Sequence, residues 1–306
     1  MSAPVATRAP ALTPILIAAA VTVLLWASAF VVVREIGGAF SPGPIALGRQ
    51  IVATLVLTMT VAIQAGRRRA LPVMPAGRSL PGVLGWGVLW FGLYNLAFNT
   101  AERSLDAGTT SFLVNLAPIL VAVLAGLLLR EGFPVRLIIG LVVALAGVGL
   151  IAFSRASVHG DLIGVLLGLA AAVLYAVGTI TQKRILRTVD GLIMTWLGCA
   201  VSVVALLPFL PQLLTEAQSA PPSALWLVVY LGVGPTAVGF STWAYVLARV
   251  SAGRTAATTY LVPICVLTMA WLALGEVPAP IAILGGVLAL GGVAVATLRV
   301  SRRTRP

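Results

Sequence analysis

Residues 107–149 read AGTTSFLVNLAPILVAVLAGLLLREGFPVRLIIGLVVALAGVG, and residues 252–294 read AGRTAATTYLVPICVLTMAWLALGEVPAPIAILGGVLALGGVA. Displaced by 145 positions, Ala107 falls on Ala252, Gly108 on Gly253, Thr110 on Thr255, Pro118 on Pro263, Glu131 on Glu276, Gly140 on Gly285 and Gly147 on Gly292. Each copy is a small-residue start, an apolar run with one central proline, a short turn carrying Glu, and a second apolar run studded with Gly and Ala. Self-similarity at a fixed offset marks a duplicated unit. The offset is close to half of the 306-residue chain, so the pattern describes two halves rather than a solenoid.

The medium in which these halves fold follows from composition. Hydrophobic residues make up 60% of the chain and charged residues only 9%, against about a quarter charged in soluble domains. The apolar residues come in runs of about 20, the length that crosses a hydrocarbon core roughly 30 Å thick. A β-barrel would need short alternating segments, and these runs do not alternate. The expectation is an all-α polytopic membrane protein. The formal charge of +12 does not point to nucleic acid, because the basic residues stand at the ends of apolar runs, where they set topology. Cys199 and Cys265 lie inside separate runs and read as small core fillers, so neither a disulfide framework nor a metal site is indicated. The first run lacks a small-residue cleavage site and reads as a retained helix.

Ten runs are discernible: 14–34, 44–65, 81–101, 107–129, 134–153, 161–182, 191–210, 223–247, 253–274 and 279–299. SPGP at 41–44, LPVMPAGRSLP at 71–81 and SAPPS at 219–223 supply breaks between them. Pro44 and Pro134 sit at helix starts, where the missing N–H is harmless. With the N-terminus inside, sixteen of the twenty basic residues fall on inner segments and Arg34, Arg103 and Arg155 on outer ones, with Arg49 inside a helix. That bias puts both termini in the cytoplasm. Five helices per half is an odd number, so the second half enters the membrane upside down. The Arg67–Arg69 cluster after the second run has no basic counterpart at 211–222, as inversion requires. Two inverted five-helix repeats, residues 1–155 and 156–306, are therefore expected, with a site near the midplane between them.

The candidate site residues lie on helical stripes in these runs. Pro118 and Pro263 stand near the middle of runs four and nine, where each withholds a helical donor from the carbonyl four residues earlier, Val114 or Thr259. In lipid such a carbonyl must be satisfied by protein or cavity water, so both prolines are read as gating kinks. Ser111, Asn115 and Pro118 share a face, and the 145-residue shift carries Asn115 onto Tyr260. Asn95, Asn99 and Glu102 form a stripe on run three; Tyr175, Thr179 and Gln182 on run six; Ser241, Tyr245 and Arg249 on run eight. Trp26 corresponds roughly to Tyr175. Such stripes are costly against lipid and belong inside the bundle, as a cavity lining or as interhelical hydrogen bonds. Arg49 is about 7 Å below the end of its helix; it is placed either to bind substrate or to snorkel to headgroups. Glu131 and Glu276 occupy the same point of each copy and read as partners of a helix N-terminus.

Several chemistries are not supported. The chain has no GxxxxGK[ST], and its one lysine, Lys183, follows Gln182, so no ATP-driven motor is encoded. There is no HExxH, and the single histidine, His159, falls in an outer loop. No acid occupies the middle of a run; Glu35, Glu102 and Asp161 are near helix ends, and of these Glu102 could serve a proton relay. No cofactor is implied.

The WASAF stretch at 26–30, Arg49 in the second run and the twice-occurring Ala-Gly…Pro…Glu…Gly…Gly pattern together resemble the EamA family of the drug/metabolite transporter superfamily. The resemblance covers roughly residues 14–299. It implies a ten-helix fold with a central cavity built largely from helices one, three, four, six, eight and nine. It further implies transport, often export, of amino acids or other small metabolites across the bacterial inner membrane. One departure is that Asn115 faces Tyr260 in chemistry across the repeat, so the two sides of a site would differ. The expected protein is a multi-pass secondary transporter working by alternating access, as a monomer or homodimer, with a small-molecule substrate and the lipid bilayer as partners and no nucleic acid. Trp26, Asn95, Asn99, Asn115, Tyr175, Tyr245 and Tyr260 would line its cavity, and Arg49 would attract a carboxylate. A flippase of a lipid-linked molecule is an alternative. A membrane enzyme is a further one, but it would need clustered acids or a nucleophile–base pair in the bilayer.

Overall fold

The computed structural model describes residues 12–77, 79–128, 135–155, 159–250 and 252–297. Among them there is helix and no strand. We label the elements α1 (Leu12–Ile36), α2 (Pro42–Arg68), α3 (Ser79–Ser104), α4 (Ala107–Val114 and Ala117–Leu128), α5 (Val135–Arg155), α6 (His159–Ile185), α7 (Gly191–Ser219), α8 (Pro222–Arg249), α9 (Ala252–Thr258 and Val262–Leu274) and α10 (Pro280–Thr297). Six of them, α1, α2, α3, α6, α7 and α8, are long and apolar enough to cross a bilayer. Shorter apolar stretches lie at Ala107–Val121 in α4, Ile138–Leu150 in α5, Thr259–Leu274 in α9 and Pro280–Gly292 in α10. The chain is a multi-pass helical membrane protein.

Local chemistry sets the helix ends. Asp106 caps α4, its carboxylate accepting from the Thr109 N–H at 2.8 Å and the Thr109 hydroxyl at 2.8 Å. Asp190 caps α7 in the same manner through the Leu192 N–H at 2.9 Å. These bonds satisfy amides that a helix start leaves without partners. Glu216 in α7 accepts from both the N–H and the hydroxyl of Ser41, fixing the entry to α2. At the other ends, Arg69 and Gly275 take left-handed conformations, φ 50° and 66°, and turn the chain out of α2 and α9.

Two departures from α geometry recur in both halves. A π-helical segment occupies Val88–Tyr94 in α3 and Gly232–Val238 in α8, positions that coincide to within one residue under the 145-residue shift. The second interruption falls at Asn115–Leu116 in α4 and at the 3-10 turn Thr259–Leu261 in α9. Sequence reading expects a break, hinge or kink at each proline. The helix breaks just before it, leaving Pro118 and Pro263 buried in the first turn of a new segment, where a residue without an N–H is tolerated. The Thr259 carbonyl, expected to lack a donor, accepts from the N–H of Val262. Glu131 and Pro134 lie outside the described residues. Glu276 precedes α10 by several residues and pairs with Arg34, so it does not sit at that helix's N-terminus.

The halves meet along α5 and α10. A side chain at Gly147 would run into the backbone of Gly285 and Ala289, and one at Gly292 into the backbone of Gly140 and Ala144. Gly147 and Gly292 are equivalent under the shift, as are Gly140 and Gly285, and Ala144 and Ala289. The contact is therefore reciprocal, and because 147 meets 285–289 while 292 meets 140–144, the two helices run antiparallel. Close backbone approach through small residues is how helices associate where no hydrophobic driving force separates them from lipid. Gly147→Val and Gly292→Val should each lower thermal stability by about 1–3 kcal/mol, and by similar amounts because the contact is reciprocal. Unfolding of the purified protein in detergent, followed by tryptophan fluorescence, checks this; two variants as stable as wild type would rule out the tight seam.

Candidate functional site

A narrow cavity lies between the two halves. Its wall draws on α1 (Trp26, Ala29, Phe30), α2 (Arg49), α3 (Trp90, Tyr94, Phe98), α4 (Val114, Asn115, Ala117), α6 (Tyr175), α8 (Phe240) and α9 (Thr259, Val262). Every helix that the family resemblance assigns to a central cavity contributes, and α2 is added through its arginine.

Most of the wall is one aromatic network. Trp26 lies 6.0 Å from Tyr175, nearly edge-on, and 5.0 Å from Phe240. Trp90 reaches Tyr175 at 5.3 Å and Phe240 at 5.7 Å. Phe98 packs edge-on against Phe30 at 4.8 Å and stacks on Tyr94 at 6.0 Å. Such edge-to-face and offset pairs hold rings in fixed orientations, so the walls are stiff and present both ring faces and edges. Trp90 fits against α6 because residue 178 is glycine; any side chain there would overlap its indole.

One charge faces this apolar box. Arg49 is 4% exposed, so its side chain does not snorkel to the membrane surface but turns inward. Its Nε donates to the Thr236 hydroxyl at 3.0 Å. Thr236 in turn donates to the Leu231 carbonyl at 2.7 Å, five residues back along the π segment of α8. The helix irregularity thus positions the residue that orients the arginine. Among the described residues the single ion pair is Arg34–Glu276; no acid pairs with Arg49. A buried guanidinium without a counter-ion is a strong anion receptor, because its planar fork matches a carboxylate.

Asn115 supplies a complementary group. It sits at the break in α4, and its side-chain nitrogen donates to the Ser111 carbonyl at 2.9 Å. Only the NH2 end of an amide can face a carbonyl, so Oδ1 faces the other way, as an acceptor at the cavity wall.

Trp26, Arg49, Asn115 and Tyr175 are thus brought together as sequence reading expects, and Pro118 and Pro263 lie buried one residue beyond wall-lining Ala117 and Val262. Four other candidates are placed elsewhere. Asn95 donates to the Trp90 and Phe91 carbonyls at 3.2 and 3.1 Å, closing the π segment of α3. Asn99 donates to the Pro42 carbonyl at 3.1 Å, tying α3 to the start of α2. Tyr245 carries the Arg249 guanidinium 3.6 Å above its ring at the end of α8. Tyr260 is half-buried against the large core cluster and does not line the cavity. Sequence reading missed Trp90, Tyr94, Phe98 and Phe240. The first three recur every fourth residue, and that aromatic ladder was the signal available; polarity drew attention to the neighbouring asparagines.

A pocket among membrane-crossing helices, walled by aromatic rings and one buried cation, is an arrangement that suits a transporter. The chain belongs to the EamA-like transporter family, whose pattern it matches over residues 13–153 and 162–298. It is 34% identical to a protein of Streptantibioticus cattleyicolor named "Probable terminal-alkyne amino-acid exporter", over 93% of each chain. It is 30% identical to the Bacillus subtilis "Uncharacterized transporter YdfC", over 95% of this chain and 93% of that one. The "Aromatic amino acid exporter YddG" of Ancylobacter novellus is 26% identical, over 77% and 79%. A solved crystal structure superposes with a TM-score of 0.65 over 95% of this chain and 99% of its own, at 21% identity, a likeness of fold.

Thr236→Val removes the acceptor for Arg49 Nε while keeping the side-chain shape. It should destabilise the protein by about 1–3 kcal/mol, the cost of leaving a buried donor unsatisfied, whereas Thr236→Ser should behave like wild type. Thermal unfolding of the two variants side by side decides it; equal stability of Thr236→Val would mean the bond contributes nothing.

Proposed function

We propose that this protein is a secondary exporter of small metabolites, foremost amino acids with apolar or aromatic side chains, and that the cavity is its substrate site. The single observation that carries the reading is the unpaired Arg49 in an otherwise aromatic cavity. Arg49 binds the substrate carboxylate, Asn115 Oδ1 accepts from its ammonium group, and Trp26, Trp90, Tyr175 and Phe240 enclose its side chain. The ammonium also gains from the ring faces, an attraction of about 0.5–2 kcal/mol. The relatives named as exporters of an alkyne-bearing amino acid and of aromatic amino acids support this cargo class.

Export proceeds by alternating access between two inverted five-helix repeats, residues 1–155 and 156–306, which make ten crossings. Support comes from the antiparallel, reciprocal α5–α10 contact and from the matched interruptions of α3 with α8 and α4 with α9. The breaks before Pro118 and Pro263 flank the cavity and act as its gating joints. The arginine distribution supports cytoplasmic termini in a bacterial inner membrane. One chain supplies both sides of the site, so a monomer suffices.

Proteoliposomes loaded with labelled L-phenylalanine, L-leucine and a wider amino-acid panel test the reading. Wild type should release at least one of them, and Arg49→Gln should reduce that flux about tenfold or more, corresponding to about 1.4 kcal/mol of lost binding. Phenethylamine, which lacks the carboxylate, should compete equally with both proteins. Undiminished flux through Arg49→Gln would remove Arg49 from the site.

A further inference from the structure

At one end of the cavity, where α1 and α9 finish and α3 leads into α4, a second polar cluster lies outside the substrate site. Glu102 on α3 is 2% exposed, and neither of its carboxylate oxygens has a hydrogen-bond partner among the described residues. Arg34, from the end of α1, donates from Nε to Glu276 Oε1 at 2.7 Å and from Nη1 to the backbone carbonyl of Glu102 at 3.0 Å. Arg34 thus touches the main chain of Glu102 while its charge is committed to Glu276. The second oxygen of Glu276 is also buried without a partner.

We propose that the Glu102 carboxyl group is a proton-binding site, and that its protonation state decides whether Arg34 stays on Glu276 and ties the two halves together at this end. An ionised carboxylate buried with no donor is among the costliest groups a protein can hold, whereas the neutral acid forgoes far less on leaving water. The surroundings add to this. Asp106, at the start of α4, is a further negative charge whose oxygens already accept from Thr109. Glu276, in the segment before α10, is another. Arg103 on α3 itself is exposed. One turn earlier on α3, Asn99 holds the Pro42 carbonyl at the start of α2. On α6, Gly164 packs against Ser104 and Leu105, just beyond Glu102 in the chain; the side chains of residues 159–161 lie outside the described set.

On this proposal a protonated Glu102 stands beside the Arg34–Glu276 pair. Loss of the proton to water, at a rim where the Arg34 and Glu276 side chains are 33% and 24% exposed, leaves two carboxylates competing for one guanidinium. Arg34 can then turn to Glu102, loosening the tie between α1 and the α9–α10 connection. On the export reading this makes opening of that end depend on proton release, and so links flux to the proton gradient. The consequence rests on that reading, but the protonation itself does not.

The test is pH-difference infrared spectroscopy of the protein reconstituted in lipid, which reads the protonated-carboxyl C=O stretch and needs no substrate. Wild type should show a carboxyl band that persists at neutral pH, and Glu102→Gln should lack it. Glu276→Gln frees Arg34 for Glu102, so the band should then titrate about one pH unit or more lower, the effect of an opposite charge within about 4–6 Å. Arg34→Gln should move it higher. Loss of the same band in wild type below neutral pH, its survival in Glu102→Gln, or its indifference to both Glu276→Gln and Arg34→Gln would overturn the proposal. If Glu102→Gln is not recovered folded, the opposite shifts in the other two variants still decide. Failure of the export reading would show only in the flux assay.

Discussion

Hydrocarbon offers no hydrogen bonds, so a membrane helix can leave α geometry only where the protein itself supplies new partners. This chain departs from it at matched places in its two halves, and the compensations build the site. In α3 the π segment is closed by the Asn95 amide, which reaches the Trp90 carbonyl five residues back. In α8 the same span is bridged by the Thr236 hydroxyl on Leu231. Thr236 then has a lone pair left for Arg49. The orientation of the one charge in the cavity is thus inherited from a helix irregularity in the other half of the chain.

The breaks in α4 and α9 do comparable work. A short turn before each proline restarts the helix, so a residue that cannot donate falls where no donor is needed. Asn115 lies in the α4 turn, and its amide nitrogen returns to Ser111. What remains facing the cavity is an oxygen. On the α9 side Thr259 and Val262 face the cavity while Tyr260 packs into the core. The backbone device recurs in both copies while the side chains diverge, so that the α4 side offers an amide, Asn115, and the α9 side a hydroxyl residue, Thr259.

The frame was legible in the sequence and the cavity wall only partly so. Run lengths, the 145-residue repeat and proline positions are encoded by composition and spacing, and those set the helices. On α3, however, two adjacent stripes compete: Asn95–Asn99–Glu102 and Trp90–Tyr94–Phe98. In water the polar stripe would face out; in lipid it must face in, while rings are tolerated on either side, so polarity alone does not show that the rings line the space. The structure resolves the choice because the amides are consumed by backbone carbonyls of α3 and α2, leaving the rings to line the space. Arg49 posed the same ambiguity between membrane surface and interior. Its partner, Thr236, is 187 residues away, and no local pattern reveals it.

The seam between α5 and α10 has a mechanical character of its own. At Gly147 and Gly292 main chain lies directly against main chain, so no rotamer-bearing side chain stands between the helices at those two points. Sliding there meets only backbone and methyl groups, while pulling the helices apart forfeits both close contacts at once. The joint is soft to shear and hard to separation, as a plain bearing is.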